Sequence, residues 1–143
     1  MLLDGDQLRH GLCGDLGFSP ADRTENIRRA GEVARLFFES GALVLCAFVS
    51  PYQADRDRVR ALVPADRFLE VFVKADVETC RARDTKGLYA RAGSGNVQQL
   101  TGVSAPYEEP RAPELVVDTT SLSVDEAVTA VFDALRARGF TRP

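Results

Sequence analysis

Apolar positions change period several times along the 143-residue chain, and each change marks an element. Ile27, Ala30, Val33, Ala34, Phe37 and Phe38 recur at helical spacing. Ser19-Pro20 supplies an N-cap and first-turn pair ahead of them, acidic Asp22 follows in the first turn, and Gly41 ends the pattern. The run at 42–48 (ALVLCAF) is apolar throughout, between Gly41 and Ser50-Pro51, which is the pattern of a strand covered on both faces. QADRDRVRALV (53–63) reads as a short helix, RFLEVFV (67–73) as a strand, and Asp76 to Arg83 as a helix. Residues 84–112, rich in Gly, Pro and polar groups, predict a long loop region. ELVVD (114–118) is a last short strand, and Ser123 caps a helix running to about Arg138, with Gly139 behind it.

Strands alternating with helices predict an α/β fold with a mainly parallel sheet. No repeat or low-complexity linker divides it, so 1–143 reads as a single domain. In such sheets ligands collect at the carboxyl ends of the strands. Asp4-Gly5-Asp6 follows the first apolar residues, Ser50-Pro51-Tyr52 the second strand, and Asp118-Thr119-Thr120 the last. A site at one sheet edge is the expectation.

Composition narrows the function classes. The chain is 45% hydrophobic and 27% charged, ordinary for a globular protein. No apolar run approaches the ~20 residues of a membrane span, and no signal peptide fits, so the expectation is a cytoplasmic protein without a membrane partner. A net charge of −3 argues against a nucleic-acid partner. Cys13, Cys46 and Cys80 are odd in number and lack metal-ligand spacing, so they read as free thiols. His10, the single histidine, leaves no room for a histidine-based metal site, and no metal ligands are assigned.

Four stretches carry candidate chemistry. In LDGDQLRHGL, Asp6 and Arg9 stand three apart on one face of a helical turn, where they can grip a polar ligand or simply form a local ion pair beside an N-cap. GFSPADRTENIRR places Arg23, Asn26, Arg28 and Arg29 near a helix N-terminus, which favours anions. The alternative there is a solvated basic face. Phe18 beside them is either core or a platform for an aromatic base. AFVSPYQADRDR turns at Ser50 after a strand, and no histidine or lysine close in sequence activates that serine. CRARDTKGLYARAGSGN combines arginines, Lys86, Tyr89 and Gly-Ser-Gly, the composition of an anion-closing lid or of a plain surface loop.

In order and at these spacings, LDGDQLRHGL, DLGFSPADRTENIRRAGEVARLF, AFVSPYQADRDRVR, FLEVFV, ARDTKGLY and LTGVSAPYEEP resemble the adenylylsulfate kinase (APS kinase) family over essentially the entire chain. The resemblance implies a P-loop-kinase-like, three-layer α/β fold. It implies transfer of the ATP γ-phosphate to the 3′-hydroxyl of adenosine 5′-phosphosulfate in sulfate assimilation, with magnesium. By the same resemblance Asp6 is the catalytic carboxylate, near the 3′-hydroxyl and the metal, and Ser50 a second, weaker catalytic candidate. Arg9 binds substrate, Phe18 stacks on the adenine, and Arg23 and Asn26 contact phosphosulfate and ribose. Val49 and Ser50 fall on the substrate turn, Lys86 and Leu88 on the lid, and Leu100 and Thr101 at a stacking position beside it. Arg83 addresses ATP phosphates, and Thr119 and Thr120 lie where the ATP adenine is met.

The chain also departs from that pattern. The family begins with a strand, a G-x-x-x-x-G-K-[ST] loop and a helix, and the 143 residues contain none of these. Gln53 stands where the family usually carries arginine, Gly93 replaces a basic lid residue, and Leu100 replaces an aromatic. In the implied fold the absent N-terminal strand is central, between 42–48 and 67–73. Losing it would leave apolar edges whose unpaired backbone groups cost ~1–3 kcal/mol each if buried, against a net stability of ~5–15 kcal/mol. Either the sequence is incomplete, a partner supplies the strand, or the two flanking strands close up and pair directly. Starting at a methionine, it is expected to be a compact, shortened protein.

Two functions follow as expectations. One is an APS kinase that needs ATP and Mg2+ if it retains activity and is inactive as an ATP-dependent kinase when isolated. The other is a repurposed P-loop-less homologue that binds or acts on an adenylylsulfate-like nucleotide without phosphoryl transfer and needs no cofactor. The expected partners are that nucleotide and either a second copy in a homodimer or a polypeptide supplying the strand.

Overall fold

A computed structural model describes residues 1–84, 87, 89, 101–102 and 105–141. Along the chain these form strand β1 (Leu2–Asp4), helix α1 (Gly5–Arg9), helix α2 (Pro20–Glu39), strand β2 (Leu45–Ala47), helix α3 (Gln53–Arg60) and a 3-10 turn (Ala65–Arg67). Strand β3 (Val71–Lys74), helix α4 (Val77–Arg83), strand β4 (Leu115–Asp118) and helix α5 (Val124–Ala137) follow. They fall into two compact units, Met1–Phe68 and Leu69–Pro143. Among the described residues no helix is long and apolar enough to cross a membrane.

In the first unit β1 and β2 pair in parallel, with Leu2 opposite Leu45, Leu3 opposite Cys46 and Asp4 opposite Ala47. Helix α2 starts where its sequence signals put it. The Ser19 hydroxyl accepts the Asp22 amide, Pro20 occupies the first turn, and Gly41 takes a φ of 87° behind the C-cap. Its Ile27, Ala30 and Gly31 are buried. A Cβ on Gly31 would lie 2.7 Å from Val59 Cγ2, so the missing side chain is what lets α3 approach α2 this closely. Leu3 and Cys13 complete this small core.

In the second unit β3 and β4 pair in parallel from Val71–Leu115 to Lys74–Asp118. Helix α5 begins with a capping box in which the Ser123 hydroxyl accepts the Glu126 amide and the Glu126 carboxylate accepts the Ser123 amide. Val117 and Leu135 are its buried apolar anchors.

Two expectations change, and one of the three alternatives for closing the sheet falls away among the described residues. The run at 42–48 contains a strand only at Leu45–Ala47, and all three residues are exposed instead of covered on both faces. Among the described residues β2 pairs with β1 alone, so its apolar side chains lack the second neighbour and the covering layers that such a run anticipates. The strand expected at 67–73 begins at Val71. Pro64 opens the 3-10 turn over Ala65–Arg67, and regular pairing exists only opposite Leu115–Asp118. Direct pairing of 42–48 with 67–73 is absent from the described residues: β2 and β3 belong to different two-stranded sheets.

Candidate functional site

The parallel register of β1 and β2 brings their carboxyl ends side by side, and the candidate residues of the first unit start there. Asp4 is the N-cap of α1, its carboxylate accepting the amides of Asp6 at 2.9 Å and Gln7 at 3.2 Å. Asp6 therefore sits in the first helical turn and is exposed. Gly5 lies against the end of β2: a Cβ would meet Phe48 Cδ1 at 3.1 Å and the Ala47 carbonyl oxygen at 3.4 Å. That close approach sets the Asp6 turn beside the segment leading to Ser50.

Arg9 at the end of α1 and Arg23 in α2 both meet Phe18 of the segment between the two helices, and Asn26 follows three residues after Arg23. Arg9 donates to the Gly17 carbonyl at 2.9 Å, and its guanidinium carbon lies 4.3 Å from the centre of the Phe18 ring. Arg23 donates through Nε to the Phe18 carbonyl at 3.0 Å, with its guanidinium 5.7 Å from the same ring. Phe18 itself is 57% exposed, so it belongs to the surface and not the core. Arg23 and Asn26 are buried, which leaves the solvated part of this basic face to Arg28 and, in part, Arg29. Burial lowers the Arg23 pKa, Tyr52 opposes that shift, and the positive charge of Arg9 adds to it. Asn26 is 4% exposed, and its Oδ1 has no hydrogen-bond partner among the described residues. A buried acceptor in that state costs ~1–3 kcal/mol, which a ligand donor would offset.

The remaining arginines of this helix are structural. Arg28 and Arg29 both bond Glu25, and Arg29 also clamps the 10–19 segment through Asp15 at 2.6 Å and the Leu12 carbonyl at 2.8 Å. Hydrogen bonds from Arg28 and then Arg29 hold the Glu25 carboxyl to about 2.

Ser50 turns with a φ of 40°, the one described non-glycine residue in the left-handed region, and Val49 beside it is exposed. Sequence reasoning missed what supports this turn. Asp55 and Arg56 look like members of a solvated DRDR face, yet both are buried. Arg56 donates to the Ser50 carbonyl at 2.7 Å and to Gln53 Oε1 at 2.9 Å. Asp55 accepts the Thr24 hydroxyl at 2.8 Å, tying α3 to the start of α2. The alternation of charges gave no signal of burial; the Ser-Pro turn immediately before them was the available clue.

In the second unit the carboxyl ends of β3 and β4 carry the other candidates. Arg83, at the end of α4, donates to the Thr119 hydroxyl at 3.1 Å and to the Thr119 carbonyl. Thr119 in turn donates through its amide to the Lys74 carbonyl at 2.9 Å. The Thr120 hydroxyl and amide both donate to Asp118, holding that carboxyl below its ordinary range. Thr101 forms an isolated bridge with Ala105. Lys86, Leu88, Gly93 and Leu100 lie outside the described residues.

The residues present do not by themselves fit an ATP–magnesium group. Lys74 and Lys86 are followed by Ala75 and Gly87, so neither ends a G-x-x-x-x-G-K-[ST] loop. Among the described residues no group of three or more His, Cys, Asp or Glu could hold a metal ion.

The sequence profile of adenylylsulphate kinase matches residues 1–118. The adenylyl-sulfate kinase of Geotalea uraniireducens (strain Rf4) is 58% identical over 137 residues, covering 96% of this chain and 66% of that protein. That of Acaryochloris marina (strain MBIC 11017) is 53% identical over 142 residues, covering 99% and 69%. The solved structure of the Mycobacterium tuberculosis APS kinase CysC in complex with AMPPNP and APS superposes with a TM-score of 0.86 at 44% identity, covering 94% of this chain and 79% of that one. The chain thus spans 66% and 69% of the length of these two curated relatives. The α/β fold is that of the P-loop kinases, as the resemblance implied.

Proposed function

The chain belongs to the adenylylsulphate kinase family, and we propose that its first unit is the adenylylsulfate-recognising half of such a kinase. The observation that carries this reading is the exposed Phe18 ring flanked by the Arg9 and Arg23 guanidiniums, with the buried, unpartnered Asn26 oxygen on the same helix as Arg23. An adenine joined to a phosphate–sulfate anhydride needs a π-face and cations together. Asp6 is the carboxylate that takes the proton of the ribose 3′-hydroxyl when the family reaction runs. Arg9 and Arg23 hold the anionic end, Asn26 the ribose, and Val49 and Ser50 line the substrate turn. Lys86, Leu88, Leu100 and Thr101 are further substrate-side residues, and Arg83, Thr119 and Thr120 belong to the ATP side. The Mycobacterium tuberculosis relative holds AMPPNP and APS. This chain, lacking the phosphate loop within its 143 residues, is proposed to bind APS and to transfer no phosphate alone.

Calorimetric titration with APS, and separately with ATP and magnesium, tests both halves of the statement. APS binding is expected, and Phe18→Ala weakens it about 5- to 150-fold if a stacked base is lost, at ~1–3 kcal/mol per base. A folded chain that ignores APS overturns the recognition half, and steady ATP-dependent turnover by the isolated chain overturns the other.

Gln53, Gly93 and Leu100, which stand where the family usually carries arginine, a basic residue and an aromatic, favour a second reading, a nucleotide-binding homologue that never transfers phosphate. Adding the strand–loop–helix portion of a relative as a separate polypeptide separates the two. Restored transfer supports the kinase half-site, and APS binding without restoration supports the repurposed protein.

A further inference from the structure

We propose that Arg56 is a positioning residue for the nucleotide site: it holds the Ser50 turn in its left-handed conformation, and the turn so held presents its backbone and hydroxyl to the ligand. The inference rests on the recognition reading above and deepens it.

The turn is not one its own sequence favours. Ser50 carries a Cβ yet takes a φ of 40°, a region that side-chain-bearing residues enter at a cost. It also precedes Pro51, and a following proline drives the preceding residue towards extended backbone. Something outside the local chain must determine the conformation. The Arg56 guanidinium is in place to do so, with one nitrogen on the Ser50 carbonyl at 2.7 Å and another on Gln53 Oε1 at 2.9 Å. The planar fork of an arginine suits two acceptors at fixed separation in a way that a lysine ammonium does not. Gln53 is part of the arrangement, since a guanidinium at that position could not accept the second bond.

The support is itself anchored. Arg56 is 9% exposed and its neighbour Asp55 only 3%. Asp55 accepts the Thr24 hydroxyl, and Thr24 stands between Arg23 and Asn26 on α2. One short helix therefore ties the Ser50 turn to the helix that carries the cation and the unpartnered amide oxygen. Arg56 acts on the ligand through the Ser50 backbone and not by touching it.

The test uses the full chain and two readouts. Backbone chemical shifts of Val49, Ser50 and Tyr52 report the turn without any ligand, and calorimetry with APS reports recognition. In Arg56→Met the Ser50 shifts are expected to move towards extended backbone while the shifts of Ile27 to Ala34 stay put, and APS affinity falls about tenfold. Arg56→Lys, with one donor restored, falls between. If Arg56→Met does not fold, Gln53→Ala removes one of the two acceptors and is expected to move the same shifts by less. Unmoved Ser50 shifts in a folded variant overturn the proposal, as does a displaced turn that binds APS as tightly as the parent. If the parent itself ignores APS, the recognition reading fails and takes the ligand-presenting half of the proposal with it; the shifts still decide whether Arg56 holds the turn.

Discussion

Removing the Asp55 carboxylate should loosen α2 where it carries Arg23 and Asn26. Asp55 is 3% exposed and accepts the Thr24 hydroxyl at 2.8 Å, a charge-assisted bond joining α3 to α2. Bonds of that kind contribute ~1.5–3 kcal/mol. Its other contact, to Arg58 at 3.6 Å, involves a half-exposed arginine and adds only ~0–1 kcal/mol. Asp55→Ala leaves the Thr24 hydroxyl facing a small apolar group, and the expected loss is about 2 kcal/mol. Asp55→Asn keeps an acceptor of the same shape and should lose about half as much. Thr24→Val removes the donor, and the Asp55→Ala/Thr24→Val double variant should fall short of the summed losses by about 1–2 kcal/mol. Native-state hydrogen exchange at the α2 amides is the suitable assay, because it reads this unit separately from the rest of the chain. An Asp55→Ala loss below about 0.5 kcal/mol, or strict additivity in the cycle, would refute the claim that this bond joins the two helices.

Gly31→Ala sets helix propensity, a gain of about 1 kcal/mol, against overpacking of about 1–3 kcal/mol. The new Cβ meets Val59 Cγ2 at 2.7 Å, and a β-branched valine cannot swing away, so a net loss is expected. Adding Val59→Ala should recover part of that overpacking loss, and a denaturation series in which it recovers none rejects the explanation. Ser123→Ala should lower the stability of α5 by about 1 kcal/mol through loss of its cap, read as lost helical signal in denaturant; no change excludes the capping box as a contributor. Glu25 titrates from an ordinary 4.5 down to about 2 because Arg28 and Arg29 bond it. A depressed carboxylate contributes stability that is complete above its unfolded value and is lost as pH falls through its folded value, here between about 4.5 and 2. The group faces solvent, so the effect is modest and weakens with salt. Arg29→Met should flatten the acid limb of the unfolding midpoint relative to the parent, and parallel limbs would count against the network.

The parts of this fold legible in the sequence are those decided within a few residues. Ser19-Pro20 and Ser123 announced the starts of α2 and α5, and Gly41 and Gly139 their ends, because caps and left-handed stops are local chemistry. The surroundings of β2 were not legible. An apolar run records what a strand is suited to pack against, and Leu45–Ala47 meets only β1 among the described residues. The candidate site divided in the same way. Asp6, Arg9, Phe18, Arg23 and Asn26 were candidates by type and spacing, and the structure sets Arg9 and Arg23 against Phe18. Asp55 and Arg56 were hidden, since burying a charged pair is a tertiary event with no period of its own.

That contrast explains how one arginine-rich helix serves two ends. Arg28, Arg29 and Arg35 are each met by carboxylates three or four residues along the helix, and Arg29 also by Asp15 from the preceding segment. Their charge is consumed in holding the helix and its flank. Arg23 stands a turn earlier, within reach of the Phe18 carbonyl and ring. Burial and Arg9 both press its pKa downward, yet a guanidinium stays protonated throughout the physiological range. Two cations sharing one exposed aromatic ring repel each other, and an anion arriving between them relieves that repulsion while its attached base meets the ring. The electrostatic disposition of the first unit therefore favours a ligand that is aromatic at one end and anionic at the other. Phosphate alone lacks the base and adenosine alone lacks the charge. Titrating inorganic phosphate, adenosine and APS in parallel should show clear binding only for the last, and equal binding of adenosine and APS would remove the two arginines from the account.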